Sequence, residues 1–191
     1  MPLSTTLAPI PPATAPSAPP KIRTHSHESG CPIPGCTGGD CFSPALARAG
    51  DAYKVALVGE ALGEQEAAVG RPFAGKAGFK LTRLIEWAGL KRELFDIYNV
   101  VWCRPPDNRL EGEEYEQAAI EWWKPYWRPL LSRARVVVPM GNVALSAFTG
   151  RKGILRARGY FCEGEGGVRV LPTVHPSFIQ RGQSKYSAAF I

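Results

Sequence analysis

Three observations predict an α/β domain with a largely parallel sheet and helices on both faces. Short apolar runs alternate with segments of helical period from about residue 55 to residue 175. The first run, Val55 to Val58, breaks at Gly59-Glu60, passes through a loop containing Gly63, Gly70, Pro72 and Gly75, and enters a helical pattern. A later run, Val136-Val-Val, is apolar throughout, as a strand covered on both faces is. In such a sheet the loops after parallel strands share one edge, where ligands bind.

Along the chain, residues 1–28 form a Pro/Ala/Ser/Thr tail with seven prolines in the first twenty positions. Proline fixes φ and lacks a donor, and there is little apolar surface to bury, so this segment is expected to be disordered. Its basic end, with Lys21, Arg23, His25 and His27, reads as a solvated linker, with a non-specific phosphate contact as the alternative. Residues 29–191 form the domain. Leu81, Leu84, Ile85 and Ala88 share one face of a helix over 77–88, ended by Gly89. Phe95 to Cys103 reads as a strand, 111–132 as a helix, 134–141 as a strand, and 142–148 as a short helix closed by Gly150. Tyr160 to Cys162 and Val168 to Val174 read as two more strands. The tryptophans of 122–127 read as packing rather than as a base-stacking platform. The chain ends at Ile191 in an apolar helix start without a cap, the pattern of a chain that continues.

The net charge of +6 permits a polyanionic partner without requiring one. No apolar run has membrane-spanning length and no secretory signal opens the chain, so a location inside the cell (cytoplasmic) is expected. With five cysteines and no export signal, a disulfide framework is disfavoured. Cys31, Cys36 and Cys41 are spaced five apart among glycines and prolines that permit tight turns, so their sulfurs can converge on a metal; three unremarkable thiols are the alternative. Glu60, Asn99 and His175 each lie at or near the end of a strand and can therefore meet at one sheet edge.

The ordered motifs Val58-Gly-Glu-Ala-Leu-Gly63, Gly70-Arg-Pro-Phe-Ala-Gly75, Tyr98-Asn-Val-Val-Trp-Cys-Arg-Pro-Pro106 and Thr173-Val-His-Pro-Ser177 resemble the signature of the uracil-DNA glycosylase superfamily, closest to its iron–sulfur family 4. The resemblance implies a three-layer α/β/α sandwich around a four-stranded, mainly parallel sheet. It implies hydrolysis of the N-glycosidic bond of uracil flipped out of single- or double-stranded DNA, by a monomer. Carried over, His175, Glu60 and Asn99 are catalytic. His175 stabilises charge on the leaving base, Glu60 helps hold the attacking water, and Asn99 reads the uracil edge. Phe73 stacks on the base, and Gly59, Ala61, Leu62, Gly63 and Ser177 shape the pocket. Arg71, Arg104, Ser177 and Arg181 meet the DNA backbone, with Lys76 and Arg109 on the same edge. The family's covalent relatives carry a basic insertion after the Pro-Phe loop; Ala74 to Gly78 here runs straight into a helix, implying plain hydrolysis.

The sequence departs from the family at three points. Leu62 replaces a usual proline, Trp102 a frequent lysine, and the family's fourth cluster cysteine falls near Trp122-Trp123. We therefore expect Cys31, Cys36, Cys41 and Cys103 to hold a structural [4Fe–4S] cluster, with zinc (joined by His25 or His27) or no metal as the alternatives; Cys162 reads as a buried or free thiol. The rival readings of function are a catalytically impaired nucleic-acid-binding module associated with replication and, by fold analogy only, a nucleotide-binding domain. The latter lacks a Walker lysine–serine pattern.

Overall fold

The computed structural model describes residues 30–36, 44–47, 50 and 52–187. The tail over 1–28, Cys41 and the last four residues lie outside the described residues. Strands β1 (Val55–Gly59), β2 (Asp96–Asn99), β3 (Val136–Pro139), β4 (Cys162–Glu163) and β5 (Arg169–Val170) form one sheet in the order β2-β1-β3-β5-β4. All neighbours are parallel except β4 and β5. The sheet thus has five strands rather than the expected four. The extra one is the two-residue antiparallel edge strand β4, paired through Cys162 opposite Val170.

Helices are α1 (Glu64–Val69), α2 (Lys76–Trp87), α3 (Glu116–Trp127), α4 (Asn142–Thr149), α5 (Ile154–Ala157) and α6 (Pro176–Gln180). The two-residue period of the strands assigns them to opposite faces. Ala56, Val58, Tyr98 and Val137 join Ile120, Trp123 and Trp127 of α3 and Val143, Ala144 and Phe148 of α4 in one core. Leu57 and Ile97 point the other way, to Leu81 and Ile85 of α2. Leu84 of α2 extends that side to Val174 and Ile179 of α6. Two separate cores on one sheet make the three-layer sandwich. The tryptophans of α3 belong to the first core, as packing residues.

Several boundaries differ from the sequence reading, each for a local reason. Helix α1 lies inside the segment read as a loop: Glu64-Gln-Glu-Ala-Ala-Val favours helix and is closed by Gly70 at φ 68°. The 111–132 helix begins only at Glu116, because Gly112 takes φ 85°. It tightens into a 3-10 turn over Arg128–Arg133, where Pro129 provides no donor. Strand β2 stops at Asn99 because the next N–H groups turn back onto β1: Val100 donates to the Gly59 carbonyl and Val101 to that of Glu60, both at 3.0 Å. The last strand ends at Val170, although Leu171 and Thr173 still donate to the carbonyls of Val137 and Pro139, carrying the chain to the sheet edge. Within the described residues no helix is long and apolar enough to cross a membrane.

Candidate active site

At the C-terminal edge of the parallel strands lies a cavity of about 650 Å³. Glu60, Ala61, Leu62 and Gly63 line it from the end of β1, Phe73 from the loop before α2, Asn99 from the end of β2, and His175 and Ser177 from the start of α6. Arg109 and Arg181 are at its rim. These residues are distant in sequence, and the parallel strand order brings them together.

Backbone fit sets the walls. A Cβ at the buried Gly59 would overlap both the Asn99 Oδ1 and the tip of the Phe73 ring, so only glycine lets amide and ring approach this closely. Phe73 adopts φ 53°, an uncommon left-handed conformation for an aromatic residue. Its ring centroid lies 5.6 Å from that of His175 at an interplanar angle of 35°. Asn99 is 3% exposed, and its carbonyl accepts a 2.6 Å bond from the Trp102 indole, which explains why a buried tryptophan suits this position. Leu62 donates its N–H to the Cys103 carbonyl at 3.4 Å, a bond that proline could not make. The strand–glycine loop–helix arrangement offers no open anion site at the start of α2: Glu66 accepts from the Gly75 N–H at 2.8 Å and Gln65 from the Lys76 N–H at 3.1 Å.

Electrostatics separates the two titratable groups of the pocket. Burial, with Arg181 adding a smaller effect, lowers the His175 pKa to about 4, so the imidazole is neutral at pH 7. The Ser177 N–H donates to Nδ1 at 3.2 Å. With Nδ1 accepting, the ring proton sits on Nε2. Ser177 Oγ also lies 2.8 Å from Nδ1. Burial first, then the charge of Glu111, raises the Glu60 pKa to about 7. The Glu111 N–H donates to Glu60 Oε1 at 3.3 Å, and the Glu111 carboxylate accepts from Asn142 Nδ2 at 2.8 Å. Asn142 Oδ1 in turn accepts from the N–H groups of Gly153 and Ile154 at 3.0 and 2.9 Å. Glu111 and Asn142 were invisible as site residues in the sequence; the one available signal was the position of Asn142, directly after the β3 turn.

Because the folded state favours the protonated Glu60, it binds more protons than the unfolded chain between pH 4.5 and about 7, and stability falls as pH rises through that window. Glu60→Gln is therefore expected to raise stability at pH 8.5 by about 1–3 kcal/mol and to leave it nearly unchanged at pH 4.5. Thermal melts at the two pH values check this; equal gains at both would refute it.

Among the residues expected to meet DNA, Arg181 and Ser177 line the cavity, while Arg71 and Arg104 do not. Arg71 is exposed and close enough to Arg92 to help burial lower that guanidinium's pKa. The Arg104 Nε donates to Asn108 Oδ1 at 2.9 Å, which steadies the turn in which Asp107 and Asn108 both have positive φ. Lys76 begins α2 outside the cavity wall.

A second constellation lies behind β2. The sulfurs of Cys31, Cys36 and Cys103 all fall within 4.8 Å of one another, with Cys103 Sγ 3.2 Å from Cys36 Sγ and 3.8 Å from Cys31 Sγ. Cys31, Cys36 and Trp122 pack against the α3-side core, so the thiols are sheltered. Three soft donors converging in a partly apolar setting fit a thiolate-bound metal centre. Cys162 is part-buried in β4 and apart from this group.

Fold and site define a class: an α/β domain with a cavity at its strand ends, walled by an aromatic ring and by hydrogen-bonding side chains. The family model described as the uracil DNA glycosylase superfamily matches residues 48–191, and the chain belongs to that superfamily. It is 42% identical over 138 residues to a type-4 uracil-DNA glycosylase of Thermotoga maritima, covering 69% of this chain and 68% of that protein. It is 36% identical over 139 residues to the type-4 uracil-DNA glycosylase of Sulfurisphaera tokodaii and 37% identical over 135 to that of Saccharolobus solfataricus; these matches span 60% and 61% of those relatives.

Proposed function

We propose that the chain is a uracil-DNA glycosylase, hydrolysing the N-glycosidic bond of uracil extruded from DNA as the first step of base repair. The observation that supports this most is the contact set around Gly59, which lets the Asn99 amide and the Phe73 ring converge at one wall of the cavity that His175 also lines. Relatives bearing that name are 36%, 37% and 42% identical to the chain over the matched residues.

In this reading Phe73 stacks on the extruded base. The Asn99 carboxamide donates to a uracil carbonyl and accepts from N3–H; cytosine lacks that N–H and would leave the buried amide mismatched. His175, neutral and carrying its proton on Nε2, donates toward uracil O2 as negative charge develops on the leaving base. A neutral donor suits a leaving base that departs as an anion, because no net charge need be buried beforehand. Glu60, at the end of β1, accepts a hydrogen bond from the attacking water in its carboxylate form and passes the proton to solvent at the rim. The oxocarbenium-like transition state needs charge stabilisation and a placed water rather than a covalent nucleophile. Gly59 and the Ala61 to Gly63 backbone form the floor. Ser177 and Arg181, with Arg71 and Arg104 further out, contact phosphates, and the protein acts as a monomer.

The reading is tested with uracil-containing oligonucleotides and matched thymine-containing ones, scored for alkali-labile abasic sites. Cleavable sites only with uracil are expected; tight binding without any such site would instead favour a non-catalytic module.

For the cysteine constellation we propose a [4Fe–4S] cluster held by Cys31, Cys36, Cys103 and, from outside the described residues, Cys41. When bound, such a cluster supplies a rigid covalent node. Here the chain's own residues would use it to fasten the segment around 31–36 to the end of the β2 segment, whose other end carries Asn99. Cys103→Ser is expected to abolish the visible absorbance, lower the iron content to near zero and reduce the melting temperature by about 10 °C or more. A colourless wild-type preparation containing zinc would refute the iron assignment.

A further inference from the structure

The loop that presents Phe73 is held by a residue that touches neither the cavity nor any other proposed substrate contact. Arg92 sits in the 3-10 turn Arg92–Leu94 that leads into β2. Its Nη2 donates to the carbonyls of Pro72 at 3.3 Å and Phe73 at 3.1 Å. Its Nη1 donates to the Gly78 carbonyl at 3.3 Å and to Thr82 Oγ1 at 3.0 Å. The Thr82 hydroxyl itself donates to that same Gly78 carbonyl at 3.0 Å. One planar guanidinium therefore gathers carbonyls on both sides of the bend, a task its fixed fork can do and an ammonium cannot.

The bend needs such a device. Phe73 holds φ 53°, and an aromatic residue persists there only where its surroundings over-determine it. Gly78 allows its own Cα to lie against the Phe73 carbonyl, with no room for a Cβ. The carbonyls of Pro72 and Phe73 face the inside of the bend, where Arg92 donates to both, while that of Gly78 accepts from Thr82 as well. Arg92 is part-buried and absent from the cavity wall, so it reaches substrate only through the ring it holds.

We infer that Arg92 is a positioning residue for base stacking, holding Phe73 in its left-handed conformation so that its ring is presented at the cavity wall beside His175. This rests on the glycosylase reading above for its catalytic consequence, and not for its structural content.

The test is a double-mutant cycle on uracil excision with Arg92→Met, Phe73→Ala and the double variant, with melting temperatures recorded for each. Arg92→Met is expected to lower kcat/KM about 10- to 100-fold, as displacement of a positioning group by about 1 Å does. Arg92→Lys is expected to restore little, since the fork is what matters. In the Phe73→Ala background, loss of Arg92 is expected to cost less than about twofold more, because the ring it positions is already gone. Losses that multiply across the two sites would mean that Arg92 acts independently of Phe73 and would overturn the inference, as would an Arg92→Met variant as active as wild type. If Arg92→Met does not fold, the cycle is run with Arg92→Lys. Hydrogen exchange over residues 71–79, independent of turnover, separates failure of this inference from failure of the glycosylase reading. A wild type that releases no uracil refutes the latter, while faster exchange in the Arg92 variant still supports the former and unchanged exchange refutes it.

Discussion

His175→Ala is expected to reduce the rate of uracil excision by about 10²–10³-fold while the protein remains folded. The removed imidazole is a neutral donor beside the Phe73 ring, and its charge-stabilising effect is exerted in a site where water competes poorly. The structural cost is limited to the cap of α6, where Nδ1 accepts from the Ser177 N–H; a lost cap costs about 1 kcal/mol. A melting curve close to wild type alongside a collapsed kcat is the expected pattern, and Asn99→Ala should behave similarly. Full activity in the His175→Ala, Asn99→Ala double variant would sink the assignment. The pH profile adds a sign. Because burial holds His175 at about 4, its contribution should stay constant from pH 8 to pH 5 and decline only as the pH falls through 4, where the ring gains its proton. The measurement is best made in the Glu60→Gln background, which removes the titration near 7. A decline centred near 6.5 would show that the imidazole is not desolvated as described.

Outside the cysteine constellation, Arg133→Met is expected to have the largest effect on stability. Arg133 Nε meets Asp96 Oδ2 at 2.9 Å, with side-chain exposures of 16% and 6%. A second nitrogen reaches Asp96 Oδ1 at 3.3 Å and the Ala47 carbonyl at 2.9 Å. The Ala47 N–H returns a 2.8 Å bond to the same carboxylate. The pair therefore ties the segment over 44–47 to the first residue of β2. Methionine keeps the volume of the arginine stem and leaves the Asp96 carboxylate with no cation, which costs about 3–5 kcal/mol for a buried pair. For a chain of this size that corresponds to a fall in melting temperature of roughly 10 °C. Adding Asp96→Asn should recover part of the loss by removing the orphaned charge. A single variant that melts within about 2 °C of wild type would show that solvent already shields the pair.

The sequence made the pocket legible because its parts lie at strand ends. A run such as Val55 to Val58 followed by Gly59-Glu60 marks both a buried strand and its exit, and parallel order then places Asn99 and His175 beside it. What the sequence hid depends on geometry rather than residue type. Glu111 and Arg92 look like solvated charges in their own segments. Only the folded chain shows that one lies against Glu60 and the other reaches a bend 19 and 20 residues earlier. Helix α1 was missed because Gly63 and Gly70 bracket it closely enough to mimic a loop, although its side chains cap α2. The tryptophans at 102 and 123, departures from the family's pattern, became intelligible as one packed aromatic group, with ring centroids 5.5 Å apart.

The tight packing of Gly59 against Asn99 and Phe73, and of Gly78 against the Phe73 carbonyl, also constrains how this pocket can change over generations. Neither glycine can accept even one methyl group without moving a ring, an amide or a peptide unit. Altered base preference is therefore closed to stepwise enlargement of the floor. It remains open through residues whose side chains already end at the cavity surface, such as Leu62, Ser177 and Arg181. A library randomised at those three positions should yield active variants with shifted substrate range far more often than one randomised at Gly59 and Gly78.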